Sequence, residues 1–215
     1  MDARQTDAGA GSPGREPERR LTTGRLSLEL VATVRSRFGD LPQDDLGDGA
    51  ALARWLAKLG IATSEPVTAR DVDGFRSVRE AIYRLVAQAC GDAAADPRAG
   101  ADVALINRLA RGDVPTAQVR LERTDGGRTV FASGTPAPSP AQTVSMFARD
   151  AIELLTGPYA HRVHQCEGGA CGTFFVDTSR GGRRRWCLSS TCGNRARVGA
   201  YRSRRSRASE PQSSR

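Results

Sequence analysis

Lysine, histidine and long apolar segments are scarce in this 215-residue chain. Lys58 is the only lysine, and His161 and His164 are the only histidines, so few side chains could act as general bases near neutral pH. No apolar run approaches the roughly 18 to 20 residues of a membrane helix. The charged first 20 residues lack the apolar segment of a secretory signal. We therefore expect a cytoplasmic protein that does not bind a membrane.

Motifs of the common enzyme classes are missing as well. The sequence contains no G-x-S-x-G elbow, Walker loop or H-E-x-x-H. Gly181 and Gly182 lie among arginines and could cradle a phosphate, but no strand-to-helix pattern follows them. We expect that the protein is not an enzyme.

The positive charge of the chain is concentrated in one segment. The net charge is +8, yet residues 178–209 hold ten arginines and no acidic residue, which leaves the rest of the chain slightly negative. This distribution predicts a polyanion-binding module on a nearly neutral body. Arginine offers a planar fork that matches phosphates and guanine edges, although an arginine bias can also reflect a GC-rich genome.

Four of the five cysteines lie close together and predict a metal site. Their spacing is C-x4-C-x15-C-x4-C, formed by Cys166, Cys171, Cys187 and Cys192. Without a secretory signal, such pairs favour thiolate ligands over a disulfide pair or a redox site. Four thiolates form a closed tetrahedral shell, so we expect one structural Zn²⁺, with neither histidine needed as a ligand. Cys90 stands apart and is expected to be a small buried apolar residue.

The chain is expected to divide into two tails and two folded units. Residues 1–22 and 208–215 are polar, lack apolar periodicity and are predicted to be disordered. Residues 23–160 form the first unit and residues 161–207 the zinc module. The predicted fold class is α+β, with a helix-dominated N-terminal domain that contains a β-hairpin, followed by a small treble-clef-like zinc module.

Local patterns locate the elements. Alternating leucines favour a strand over residues 25–34, although other apolar residues there leave a helix open. Helical spacing predicts helices over residues 50–59, 68–91 and 103–109, and another after a proline-rich joint at 136–140. Residues 117–123 and 128–132, joined across Asp125-Gly126-Gly127, predict a hairpin.

The zinc module is expected to be a loop, a hairpin and a helix. Residues 173–176 and 183–186 are the predicted strands, and a helix should run from about 193 to 205. Val198 and Tyr201 are expected to pack on Phe174 or Phe175 and on Trp186.

Nucleic-acid contacts are predicted on this helix and on the arginines before it. Arg195 is expected to read bases because it lies at the helix start, which usually enters the groove. Asn194 could contact DNA or cap the helix. The full predicted set is Arg183, Arg184, Arg185, Asn194, Arg195, Arg197, Arg202, Arg204 and Arg205.

These residues resemble a known family. The tetrapeptide Cys192-Gly193-Asn194-Arg195, with the arginines around Trp186, resembles the CGNR zinc finger. Upstream, residues 26–33 (LSLELVAT), 55–56 and 78–83, with Asn107, resemble the ABATE domain that precedes this finger in bacterial stress-induced transcription regulators. The resemblance covers about residues 24–207. It implies that the four cysteines bind one zinc ion and that the finger binds DNA.

Two positions depart from the family pattern. Leu188-Ser189 replaces the usual Ser-Met after the third cysteine, and Ala32 replaces a usual Asn. The second change matters if that Asn lines a site.

We therefore expect a DNA-binding transcriptional regulator whose partner is double-stranded DNA. One alternative is an RNA-binding or ribosome-associated zinc protein, because the same arginines and Trp186 suit RNA. Another is a ligand-binding N-terminal domain with the finger as a structural appendix. A homodimer and a small-molecule effector at the N-terminal domain are left open.

Overall fold

The computed structural model describes residues 21–91 and 96–208. Within these ranges the helices are α1 Leu26–Val31, α2 Gly49–Lys58, α3 Ala69–Ala89, α4 Ala99–Ala110, α5 Pro140–Thr156 and α6 Asn194–Ala208. The strands are β1 Val34–Arg35, β2 Gln43–Asp44, β3 Gln118–Arg123, β4 Thr129–Gly134, β5 Val163–Gln165 and β6 Phe174–Val176, in three antiparallel pairs. The predicted α+β class is confirmed. The two predicted tails lie almost wholly outside the described residues.

The four predicted helices of the N-terminal part are present, and side-chain caps fix where three of them begin. Asp48 accepts from the backbone N–H of Ala51 at 2.7 Å at the start of α2. The helices α3 and α5 each begin with a reciprocal capping box, between Thr68 and Asp71 and between Ser139 and Gln142. Each box satisfies backbone N–H groups that have no partner inside the helix. No helix in the described ranges is both long and apolar enough to cross a membrane.

The main core forms where α1, α3 and α5 pack together, with α2 and α4 on its sides. Phe75 of α3 and Phe147 of α5 are completely buried, and their rings meet edge to face at 5.8 Å. Trp55 of α2 stacks on Phe147, with the ring centres 5.7 Å apart. Each of the two buried phenylalanine rings stabilises the fold by about 1.5 to 3 kcal/mol through burial.

The prediction of a strand over residues 25–34 is wrong, because most of this segment is helix α1. The reason lies in α5. The Asp150 carboxylate accepts from the backbone N–H of Ser27 at 2.7 Å and lies 2.9 Å from the Arg25 guanidinium. A distant carboxylate thus caps a six-residue helix, and leucine alternation cannot reveal such an interaction.

The predicted hairpin in the N-terminal part is confirmed as β3 and β4. Leu121 lies opposite Phe131 and Arg123 opposite Thr129 in the antiparallel register. Gly127 adopts φ +75°, the left-handed conformation that the tight turn requires. Both strands are largely exposed.

The hairpin of the zinc module pairs differently from the prediction. β6 pairs with β5, which precedes it, and residues 183–186 are not a strand. The completely buried Phe174 of β6 belongs to the main core, where its ring lies 5.5 Å from that of Tyr83 on α3. The zinc module is therefore built onto the helical body through a shared strand.

Candidate metal centre and nucleic-acid interface

The first cysteine pair sits in the turn between β5 and β6. Cys166 directly follows β5, and its backbone N–H donates to the Thr173 carbonyl at 2.8 Å. The backbone N–H of Cys171 donates to the Gly168 carbonyl at 2.7 Å and closes a tight loop. The hairpin therefore holds both thiols at one end.

The second pair is positioned by the start of α6. A π-helical turn, Ser189–Gly193, precedes the helix and contains Cys192. Cys187 lies just before this turn, and its backbone N–H points at the Cys166 sulfur at 3.4 Å. This N–H is a suitable donor to a thiolate, because hydrogen bonds to charged sulfur stabilise the anionic form.

The four sulfurs fit one tetrahedral metal ion. All four lie within 4.8 Å of one another. Cys171 and Cys187 sulfurs are 3.6 Å apart, and those of Cys187 and Cys192 are 3.7 Å apart. Zinc–sulfur bonds of about 2.3 Å in a tetrahedron require sulfur separations of about 3.8 Å. The cluster can therefore hold one zinc ion, as the sequence predicts.

The close packing of the four thiols also favours a bound cation. Hydrogen bonds with Cys166 and Cys171 raise the pKa of Cys187 well above its usual range. Burial, together with the charge of Cys171, raises the pKa of Cys192 to about 12. Sulfurs this close cannot all be anionic by themselves, since like charges repel. A divalent metal among them neutralises the thiolates, so the donor set and its surroundings fit Zn²⁺.

Arg184 supports the metal centre and is partly buried. Its guanidinium donates to the carbonyls of Trp186 at 3.0 Å and Thr22 at 3.0 Å, and to that of Cys187. It also lies 4.4 Å above the Phe175 ring. The structure therefore gives Arg184 a bracing role, and its predicted nucleic-acid contact stays a prediction.

Asp177 fixes the loop that leads to Arg184. This buried carboxylate accepts from the backbone N–H groups of Ser179 and Arg184, each at 2.8 Å. A hydrogen bond from the Ser179 side chain, with these backbone donors, lowers the pKa of Asp177 to about 2. Asp177 explains why residues 183–186 run as a braced loop and not as a strand, and the sequence analysis missed it.

The other predicted contact residues remain accessible. Arg185 pairs with Glu167 at 2.6 Å and lies 4.7 Å above the Trp186 ring. Asn194 is exposed at the first position of α6. The remaining predicted arginines are also exposed: Arg183, Arg195, Arg197, Arg202, Arg204 and Arg205.

Helix α6 extends away from the rest of the chain. All side chains of residues 197–206 are exposed, and α6 packs mainly on the π-helical turn before it. Val198 is 40% exposed and Tyr201 is 57% exposed, so the predicted packing of these two residues on Phe174, Phe175 or Trp186 is wrong. Phe175 instead packs with the cysteines, where Trp186 covers them.

Two protein families match the chain. The CGNR zinc finger matches residues 162–205. The ABATE family, described as "Putative stress-induced transcription regulator", matches residues 24–158, more than half of the chain. The chain belongs to the ABATE family. No curated protein matches the sequence.

The loop between β1 and β2 joins the ABATE part to the CGNR finger through backbone hydrogen bonds. The backbone N–H groups of Arg37 and Phe38 donate to the carbonyls of Cys171 at 3.2 Å and Ala170 at 3.1 Å. The Arg37 guanidinium pairs with Glu80 of α3 at 2.7 Å and lies 4.0 Å from the centre of the Tyr83 ring. The sequence analysis missed Arg37; only the charged Arg79-Glu80 pair inside an apolar helix hinted at buried ion pairs.

A cavity of about 430 Å³ lies between the ABATE part and the metal centre. Its walls are rich in hydroxyl groups and include Glu29, Thr33 and Trp55 on one side and Thr191 and Arg195 on the other. The volume falls within the usual range of small-molecule sites. Ala32, one of the two departures from the family pattern, also lines it.

Proposed function

We propose that this protein is a DNA-binding transcriptional regulator in which the CGNR finger presents α6 to duplex DNA. One observation carries the proposal: α6 is a basic helix in which the side chains of residues 197–206 are all exposed. It bears six arginines and no acidic residue. An exposed helix with so little apolar surface gains little from packing, so a polyanionic partner is the simplest source of stabilisation.

The metal centre gives this helix a fixed starting point. Cys192 lies in the turn directly before α6, and the other three sulfurs hold that turn against the β5–β6 hairpin. The N-terminal end of the helix is thus tied to the body, while the rest can reach into a groove about 12 Å wide. This arrangement supports a structural role for zinc and a binding role for the arginines.

The test compares arginine variants over a salt series. Arg195→Ala and Arg204→Ala should each lower affinity for duplex DNA, and removing a phosphate-binding arginine should reduce the slope of log affinity against log salt by about one. Arg54→Ala, at an exposed position on α2, is the matched control and should change neither quantity. If both α6 variants bind duplex DNA like the control while zinc stays bound, DNA binding does not reside in α6.

An RNA partner is the main alternative and is separated by competition. If the protein binds duplex DNA, unlabelled duplex should displace the labelled DNA at a much lower concentration than structured RNA of equal length does. The reverse order would favour an RNA-binding function, since A-form RNA closes its major groove to a helix.

The cavity favours a second function, the binding of a small effector. Arg195 lies both in the cavity wall and in the first turn of α6, so a bound molecule would change the position of the helix start. Native mass spectrometry of freshly purified protein should show a retained small molecule besides zinc. Ala32→Trp fills the cavity and should abolish that adduct, while Ala53→Trp on α2 should not.

A further inference from the structure

The side chains of α6 are sorted by type around the helix. Each residue turns an α-helix by about 100°. Asn194, Val198 and Tyr201 therefore fall within about 60° of one another and form a central stripe that continues to Arg205. The opposite side carries the small residues Ala196, Gly199, Ala200 and Ser203, followed by Arg207 near the end of the helix.

Two rows of arginine flank this central stripe. Arg195 and Arg202 are seven residues apart and lie on one side, and Arg197 and Arg204, equally spaced, lie on the other. Both rows are exposed. Each row is displaced by about 60° to 100° from the stripe, so the cationic side chains point to the left and right of whatever the stripe faces.

The stripe itself is unusual for a solvated surface. Val198 and Tyr201 are large apolar side chains that are 40% and 57% exposed, in a helix that otherwise consists of arginines and small residues. A partner that fits this helix must offer two anionic walls and, between them, a floor of mixed polar and apolar groups. The DNA major groove has this composition, because phosphates line both edges and base edges with thymine methyl groups form the floor.

We infer that Asn194, Val198 and Tyr201 read base edges in the major groove and select sites that contain A·T pairs. The inference rests on the proposed DNA-binding function. Asparagine matches adenine N6 and N7, and apolar side chains contact the thymine methyl group. The flanking arginines hold the two phosphate backbones, which assigns Arg195 to backbone contact and not to base reading. The stripe from Asn194 to Arg205 spans about 17 Å, or about five base pairs.

The experiment first selects preferred sites from a random duplex library with the full-length, zinc-loaded protein. Val198→Ala and Tyr201→Ala should then each lower affinity for the selected duplex by about 5- to 150-fold, the range that one mismatched base pair costs in a specific site. Their affinity for random duplex and their salt slope should stay within about twofold of wild type. Ser203→Ala, on the opposite side of α6, is the control and should match wild type on both duplexes.

A base analogue tests the interaction directly. Replacing thymine by uracil removes only the C5 methyl group from the groove. The replacement should weaken wild type by about threefold or more on at least one position of the selected site, and that loss should vanish in Val198→Ala or Tyr201→Ala. Zinc content and circular dichroism of every variant confirm that the finger is folded.

Four results would overturn the inference. Selected sites without A·T enrichment, or stripe variants that weaken random and selected duplexes equally, would show that the stripe does not read bases, while DNA binding itself would stand. Stronger binding to structured RNA than to any duplex would show that the stripe faces RNA and not the DNA major groove. Failure of wild type to bind duplex DNA at all would refute the proposed function together with base reading by the stripe.

Discussion

Two glycines six residues apart should respond to the same substitution in opposite ways. A Cβ atom on Gly193 would lie 2.7 Å from Cδ1 and 3.2 Å from Nε1 of Trp186. A Cβ atom on Gly199, in the middle of α6, would meet nothing within 4 Å. The glycine of the CGNR tetrapeptide is therefore a packing requirement, whereas Gly199 only weakens the helix.

The magnitudes follow from these distances. Carbon atoms pack best at about 3.5 to 4.0 Å, so Gly193→Ala forces the indole or the backbone to move by several tenths of an ångström. Overpacking of this kind costs about 1 to 3 kcal/mol. Because folding of the turn and metal binding are coupled, zinc affinity should fall by about 5- to 150-fold. Gly199→Ala should instead favour helix by about 0.5 to 1 kcal/mol.

The assay is zinc competition against a chromophoric chelator, with far-ultraviolet circular dichroism on the same samples. Gly193→Ala should lose zinc at lower chelator concentration than wild type, and Gly199→Ala should hold zinc as wild type does and show more helix. The penalty of Gly193→Ala should shrink in a Trp186→Leu background, since the clash is with the indole. Unchanged zinc affinity in Gly193→Ala would refute the packing of this turn against Trp186.

Three further predictions concern the metal centre and its support. Cys187→Ser should leave less than half an equivalent of zinc after purification, where elemental analysis of wild type should find about one. Arg184→Lys should destabilise the protein by about 2 kcal/mol in urea, because the lysine cannot reach the same carbonyls, while Arg183→Lys should stay within about 0.5 kcal/mol of wild type. Asp177→Asn should lower the urea midpoint at neutral pH. Because folding lowers the pKa of the Asp177 carboxyl to about 2, the difference in free energy of unfolding between wild type and Asp177→Asn should shrink as the pH falls from about 4 to 2.

Local signals were sufficient to predict most of the N-terminal architecture. The start of α3 follows from Thr68 and Asp71, and its end from Gly91, which adopts φ +73°. The cysteine spacing predicted the metal cluster for a similar reason, because the two ligands of each pair lie in one tight loop that brings their sulfurs together. These features depend on residues that are close in sequence.

Features that depend on distant partners could not be predicted in the same way. Helix α1 is capped by Asp150, 123 residues from Ser27. The bracing role of Arg184 was not predicted, because charge alone does not distinguish a surface arginine from one whose guanidinium is held by backbone carbonyls. Val198 and Tyr201 were expected to be buried because apolar spacing predicts a buried face, and that rule does not apply where the helix leaves the body.

Phe174 lies on strand β6 of the zinc module and packs in the main core, so its position predicts how unfolding of the two parts is coupled. Its ring packs against Tyr83 in the main core, and the backbone N–H of Val176 donates to the Thr23 carbonyl at 2.8 Å. Loss of zinc frees the ends of the β5–β6 hairpin, so the core should lose part of the roughly 1.5 to 3 kcal/mol contributed by this ring. The chain's two tryptophans can report on each part separately: Trp55 lies in the helical core and Trp186 covers the metal centre. In Trp186→Phe, chelation should lower the thermal midpoint seen by Trp55 fluorescence by several degrees, and a Trp55 transition unmoved by chelation would show that the helical body folds without help from the finger.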